Sequence, residues 1–183
     1  LPERPDELVA LLDHPNAWQR ETAARLLLES GADVSIQLRE QATHGDRPAG
    51  RYLALSALAR LGKLDDAALE KALGDPAPGV RTLALILAEA RLTASPTLAE
   101  RVLGMAEDDD ARVRFQVSLS LMMLPSAKAS PALTAIALHD AGDEWTRRAV
   151  ALASRDEAGA LLASLLQSNV GLGGDGGSED DKR

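Results

Sequence analysis

Apolar and polar positions recur along this chain with the period of a helix, and the phase restarts about every thirty residues. An arginine marks each restart: Arg20, Arg51, Arg81, Arg114 and Arg147, separated by 31, 30, 33 and 33 residues. Three positions after each stand Ala23, Ala54, Ala84, Val117 and Val150. Four after stand Ala24, Leu55, Leu85, Ser118 and Ala151, and seven after stand Leu27, Leu58, Ala88, Leu121 and Ser154. Offsets of three, four and seven share one face of an α-helix. Small side chains in two of these columns let neighbouring helices approach closely.

Between these five helices the same spacing predicts others. Residues 5–13, 34–44, 65–73, 96–106 and 131–139 each carry an apolar stripe, and a last helix spans 156–167. Pro5, Pro96 and Pro131 suit first turns, with Ser95 and Ser130 as N-caps. Gly31, Gly62 and Gly74 stand where helix ends favour a left-handed residue. A pair of helices of about three turns each cannot bury its own apolar face, so the pairs must stack. The expectation is an all-α chain: an α-solenoid of about five antiparallel helix pairs plus one extra terminal helix over residues 1–168. A Gly-rich acidic flexible tail over 169–183 follows, with Gly171, Gly173, Gly174, Gly176 and Gly177.

Composition agrees and excludes much else. Ala and Leu occupy 33 and 32 of the 183 positions, while Val and Ile together occupy 11, which favours helix over sheet. The absence of Cys removes disulfides, thiolate metal sites, thiol nucleophiles and covalent c-type haem from this segment. A formal charge of -8 opposes a general nucleic-acid binder. No apolar run reaches the roughly 18–20 residues that span a bilayer. Residues 1–15 lack a basic start followed by an apolar stretch, so no secretory signal is read there. A chain opening at Leu1 without Met reads as a mature product or an excised domain.

Asp75-Pro76-Ala77-Pro78-Gly79-Val80-Arg81-Thr82-Leu83-Ala84 resembles the unit of HEAT repeats, in particular the short bacterial type named after phycobilisome lyases. Asp110-Ala111-Arg112-Val113-Arg114-Phe115-Gln116-Val117 is similar to it as well. The first and last units depart from the pattern, with Trp18-Gln19-Arg20 and Trp145-Thr146-Arg147. The resemblance covers about residues 5–167 and implies a HEAT-like, armadillo-type superhelix that binds protein. A narrower resemblance runs from Glu7 to Ala23, and again from Trp145 to Ala149. These stretches are similar to the HEAT segment of large membrane-bound dehydrogenase and c-type cytochrome multidomain proteins of planctomycete-type bacteria. It implies that the chain is the non-catalytic spacer of such a protein and periplasmic; without that parent, the expectation is cytoplasmic.

The arginine column and the turn acids Asp13, Asp75, Asp110 and Asp143 read as a structural ladder between units. His14, His44 and His139 fall near the ends of first helices, where the macrodipole favours them, and repeats hold them too far apart to share a metal. Trp18 and Trp145 read as fillers of atypical terminal units. The residue after each ladder arginine turns partly outward: Glu21, Tyr52, Thr82, Phe115 and Arg148. Arg25 and Ser56, five after the arginine, extend that surface. Second helices of a solenoid usually line its concave face, so these seven residues are the candidate partner-binding site. For Tyr52 and Phe115, packing against the stack is the competing reading.

No catalytic constellation, cofactor site or metal site is read. The function expected is a non-enzymatic scaffold for protein–protein or interdomain contacts. The alternative is a bilin-lyase-like or other enzyme-associated HEAT subunit, which needs a large acid-bearing pocket. A HEAT-like DNA glycosylase needs a basic face, which Glu21 and the net charge oppose.

Overall fold

Every described stretch of regular structure is helical. The computed structural model describes residues 4–154 and 157–172. Eleven α-helices occur among them: α1 (Pro5–Leu11), α2 (Ala17–Ser30), α3 (Ser35–His44), α4 (Pro48–Arg60), α5 (Asp66–Ala72), α6 (Pro78–Ala88), α7 (Pro96–Gly104), α8 (Ala111–Ser120), α9 (Ser126–His139), α10 (Glu144–Ala153) and α11 (Ala158–Leu172). Three of them, α6, α7 and α8, run on into single 3-10 turns. The even-numbered helices pack one on the next from α2 to α10. The odd-numbered helices form a second layer beside them, ending with α11 on α9.

Apart from Ala24, half-buried, and Ala151, exposed, the columns read from the sequence become the seam between units. Ala23, Ala54, Ala84 and Val117 are wholly buried, and Val150 nearly so. Leu27, Leu55, Leu58 and Leu85 are wholly buried too. Each such leucine contributes about 1.5–3 kcal/mol by leaving water. Two polar residues lie in the same seam, Ser118 and Ser154. Their hydroxyls donate to the carbonyls of Arg114 and Val150 four residues back, so neither is left unsatisfied.

Helix ends follow the expectation in part. Gly31 and Gly62 take φ of 64° and 66°. At Gly62 the N–H of Lys63 reaches the carbonyl of Leu58 and that of Gly62 the carbonyl of Ala59, closing α4 in a Schellman motif. Gly74 is different, for its φ is not positive. α5 ends through Leu73 in the right-handed region, and a Cβ at Gly74 would stand 3.0 Å from Arg101 Nη2. Pro5 and Pro96 occupy first turns. Pro131 does not, and Ser130 is no N-cap. α9 starts five residues earlier, and Pro131 lies inside it. The added turn buries Ala129, and the helix runs through Pro131 without a bond from residue 131 to the Ala127 carbonyl.

The expected domain boundary at 168/169 falls within α11, which continues to Leu172. Residues 173–183 of the expected tail lie outside the described residues, as does the expected helix start at residue 156.

Pro131→Ala is expected to stabilise the chain by about 1–3 kcal/mol, read as a higher urea midpoint, because it restores a helix bond. Gly50→Ala is expected to cost about 1–3 kcal/mol in the same assay. Its Cβ would lie 2.4 Å from Asp13 Oδ1 and 2.9 Å from the Leu12 carbonyl oxygen.

Candidate functional site

The ladder arginines do the same thing five times. Each donates from Nη1 to the carbonyl six residues back, inside its own interhelical turn: Arg20 to His14 at 2.7 Å, Arg51 to Gly45 at 2.8 Å, Arg81 to Asp75 at 2.7 Å, Arg114 to Asp108 at 2.5 Å and Arg147 to Ala141 at 2.7 Å. Three of them also clamp the next unit with the Nε–Nη2 edge. Arg51 donates to Asp75 at 2.7 and 2.8 Å, Arg81 to Asp108 at 2.8 and 2.7 Å, and Arg114 to Asp140 at 2.7 and 2.6 Å. These bidentate pairs are largely shielded from water.

The acids differ from those expected. Asp75 is a ladder acid, but Asp108 and Asp140 stand in the places assigned to Asp110 and Asp143. Those two cap their own helices, accepting from the backbone N–H of Arg112 and Thr146. Counting back from each arginine could have found this, since the ladder acids precede the arginine of their own unit by six or seven residues. The hydrogen bonds from Arg114 hold the Asp140 carboxyl below the usual carboxylate range, and Arg114 itself is pushed above the usual arginine value. The guanidinium of Arg112 brings Asp110 down to about 2.

The first junction is built otherwise. Asp13 turns toward the second unit and accepts from the backbone N–H groups of Asp46 and Arg47 at 2.7 and 2.9 Å. The second unit has His44 and Gly45 at the ladder-acid positions. Among the described residues no carboxylate pairs with Arg20, whose remaining contact is Nη1 to the Pro15 carbonyl at 2.9 Å.

The face of the even-numbered helices carries the candidate binding residues. Tyr52 is 42% exposed and lines two adjoining hollows. One, of about 370 Å³, is shared with Arg20, Glu21, Leu53 and Val80. The other, of about 250 Å³, is shared with Thr82, Leu83, Ile86 and Arg112. Glu21, Tyr52 and Thr82 are thus brought along one groove. Arg25, Ser56, Phe115 and Arg148 line neither hollow. Arg25 is held by Glu29 at 2.8 Å, and Ser56 and Phe115 are half-buried. Arg148 pairs with Glu144 at 2.5 Å and lies 5.2 Å from the Trp145 ring centroid. Ile86, 48% exposed, was missed, although it stands five after Arg81, in the same column as Arg25 and Ser56.

The tryptophans fill no terminal space. Trp18 and Trp145 are each 65% exposed, because the first turns of α2 and α10 carry their indoles outward. His44 and His139 close α3 and α9, beside Glu40 at 3.1 Å and Asp140 at 3.4 Å. His14 lies past α1, where its Nδ1 accepts from the Asn16 N–H. Among the described residues no group of three His, Cys, Asp or Glu could hold a metal ion, and no helix is long and apolar enough to cross a membrane.

Residues 66–155, from the start of α5 through α10, match the family model for HEAT repeats. With this architecture the match supports a HEAT-repeat domain, and the fold is a HEAT-type helical solenoid. No curated protein matches the chain.

Arg114→Ala is expected to cost about 3–5 kcal/mol in chemical denaturation, because it strips the shielded Asp140 carboxylate of its bidentate partner. Arg112→Ala removes an exposed pair and should cost less than about 1 kcal/mol. The stabilisation from the depressed Asp140 is complete above the unfolded carboxylate value, near 4, and is lost as the pH falls through the folded one. Thermal melts of the parent and Asp140→Asn should therefore differ steadily between about pH 7 and 5 and converge below about pH 4.

Proposed function

We propose that this chain is a non-catalytic scaffold that binds protein through the face of its even-numbered helices. HEAT repeats generally serve as protein-interaction scaffolds, which supports the coarse reading. The observation that carries the finer one is the groove along α2, α4 and α6, with Tyr52 exposed at its centre and apolar Leu53, Val80, Leu83 and Ile86 along it. A partly exposed aromatic beside such a floor is the kind of residue that anchors partners. Glu21 and Thr82 supply polar groups along the groove, and Arg25, Ser56, Phe115 and Arg148 extend the surface beyond it. The partner is another protein or another domain of a larger parent; the dehydrogenase-type parent implied by residues 7–23 is one such setting.

A photocrosslinking residue placed at position 52 in cells should capture a defined partner, whereas one at position 36, on the exposed part of α3, should not. Equal capture from both positions, or none from position 52, would sink the assignment of the face. Tyr52→Ala should weaken binding of the captured partner by about tenfold or more with unchanged circular dichroism.

A further inference from the structure

We infer that the groove holds a carboxylate seat at Arg20, and that the segment docked there is an acidic peptide with an apolar side chain next to its carboxylate. This rests on the binding role proposed above and names its partner chemistry. The observation is a rung of the ladder that is half built. Arg51, Arg81 and Arg114 each hold a turn carbonyl with Nη1 and a bidentate aspartate with the Nε–Nη2 edge. Among the described residues Arg20 and Arg147 have the first half alone, and Arg20 is bound to the carbonyls of His14 and Pro15. The reason lies in the second unit, where His44 and Gly45 occupy the ladder-acid positions and the junction is held instead by Asp13.

Arg20 also lines the hollow that Tyr52, Leu53 and Val80 line. A guanidinium already pinned through one nitrogen loses less freedom on binding than a free one, and its planar fork matches a carboxylate. The apolar wall beside it accepts a leucine-sized group. Glu21 on the same rim and the net charge of -8 repel anions in general. Charge alone is therefore insufficient, and the seat selects a carboxylate that arrives together with apolar contact. Asp46, exposed and 26 residues after Arg20, is the internal competitor for the same edge.

The test uses the full chain, isotope-labelled, with NMR following the Arg20 Nε–Hε signal and the Tyr52 ring. The probes are two acetylated, amidated peptides, Gly-Leu-Asp-Leu-Gly and Gly-Leu-Asn-Leu-Gly. The aspartate peptide should shift both signals and bind about tenfold more tightly than the asparagine peptide. Arg20→Lys should abolish that preference while leaving the fold intact. If both peptides shift Tyr52 equally, the carboxylate seat is wrong and the groove reading stands. If neither peptide moves Tyr52, the seat is overturned, and the crosslinking result at position 52 decides the groove separately. If Asp46→Asn moves the Arg20 signal in the free chain as far as the peptide does, the edge is filled from within and the inference fails.

Discussion

The helices of this chain are short, between 7 and 15 residues, and each has an apolar face that its hairpin partner covers only in part. A stack is the way such hairpins remove that face from water, and the rest of the structure follows from it. Ala23, Ala54 and Ala84 lie where even-numbered helices touch, so the layers come close together, and leucines fill the space on either side. Large core fillers have little place in so thin a stack. That explains why the four aromatics stand at partly or well exposed positions rather than at the centre.

Apolar stacking is not directional, and the arginine ladder adds what it lacks. Each arginine ties one turn to itself, and at three junctions to the next turn, by bonds that tolerate little displacement. The desolvation of such pairs offsets much of their attraction, so their net stabilisation is modest while breaking one is costly. Their contribution is to the register of one unit on the next. The first junction reaches the same register by another route, Asp13 on two backbone N–H groups, and this releases Arg20 toward the groove.

Exposed ion pairs occur on both layers, and the grooves differ. The even-numbered face has a groove with an aromatic at its centre and a polar rim. The odd-numbered layer is studded with exposed ion pairs such as Arg39–Asp65 and Lys128–Glu100. Exposed pairs of that kind contribute little to stability, and they keep the layer hydrated. The last described helices, α9 to α11, leave a further apolar hollow of about 570 Å³ beside Leu138, Val150, Leu161 and Leu165.

Much of the fold was legible in the sequence because helical periodicity and the thirty-residue repeat are local signals. The five arginines, the buried columns after them and the eleven helices could all be read by counting. The start of α9 could not, because Pro131 reads locally as a first-turn residue while the helix runs through it and buries Ala129 in the added turn. The outward column was readable as a column, but only three of its members share the groove, since the stacking of units decides which side chains converge. The ladder acids were misassigned at two turns because each turn offers several aspartates, and their identity depends on the distance across the junction. Periodicity alone therefore determined that this chain is a stack of helical hairpins. Which turn aspartates Arg51, Arg81 and Arg114 take, and that Arg20 takes none among the described residues, was decided by tertiary structure, because a bidentate bond forms only where two turns from different units come within hydrogen-bond reach.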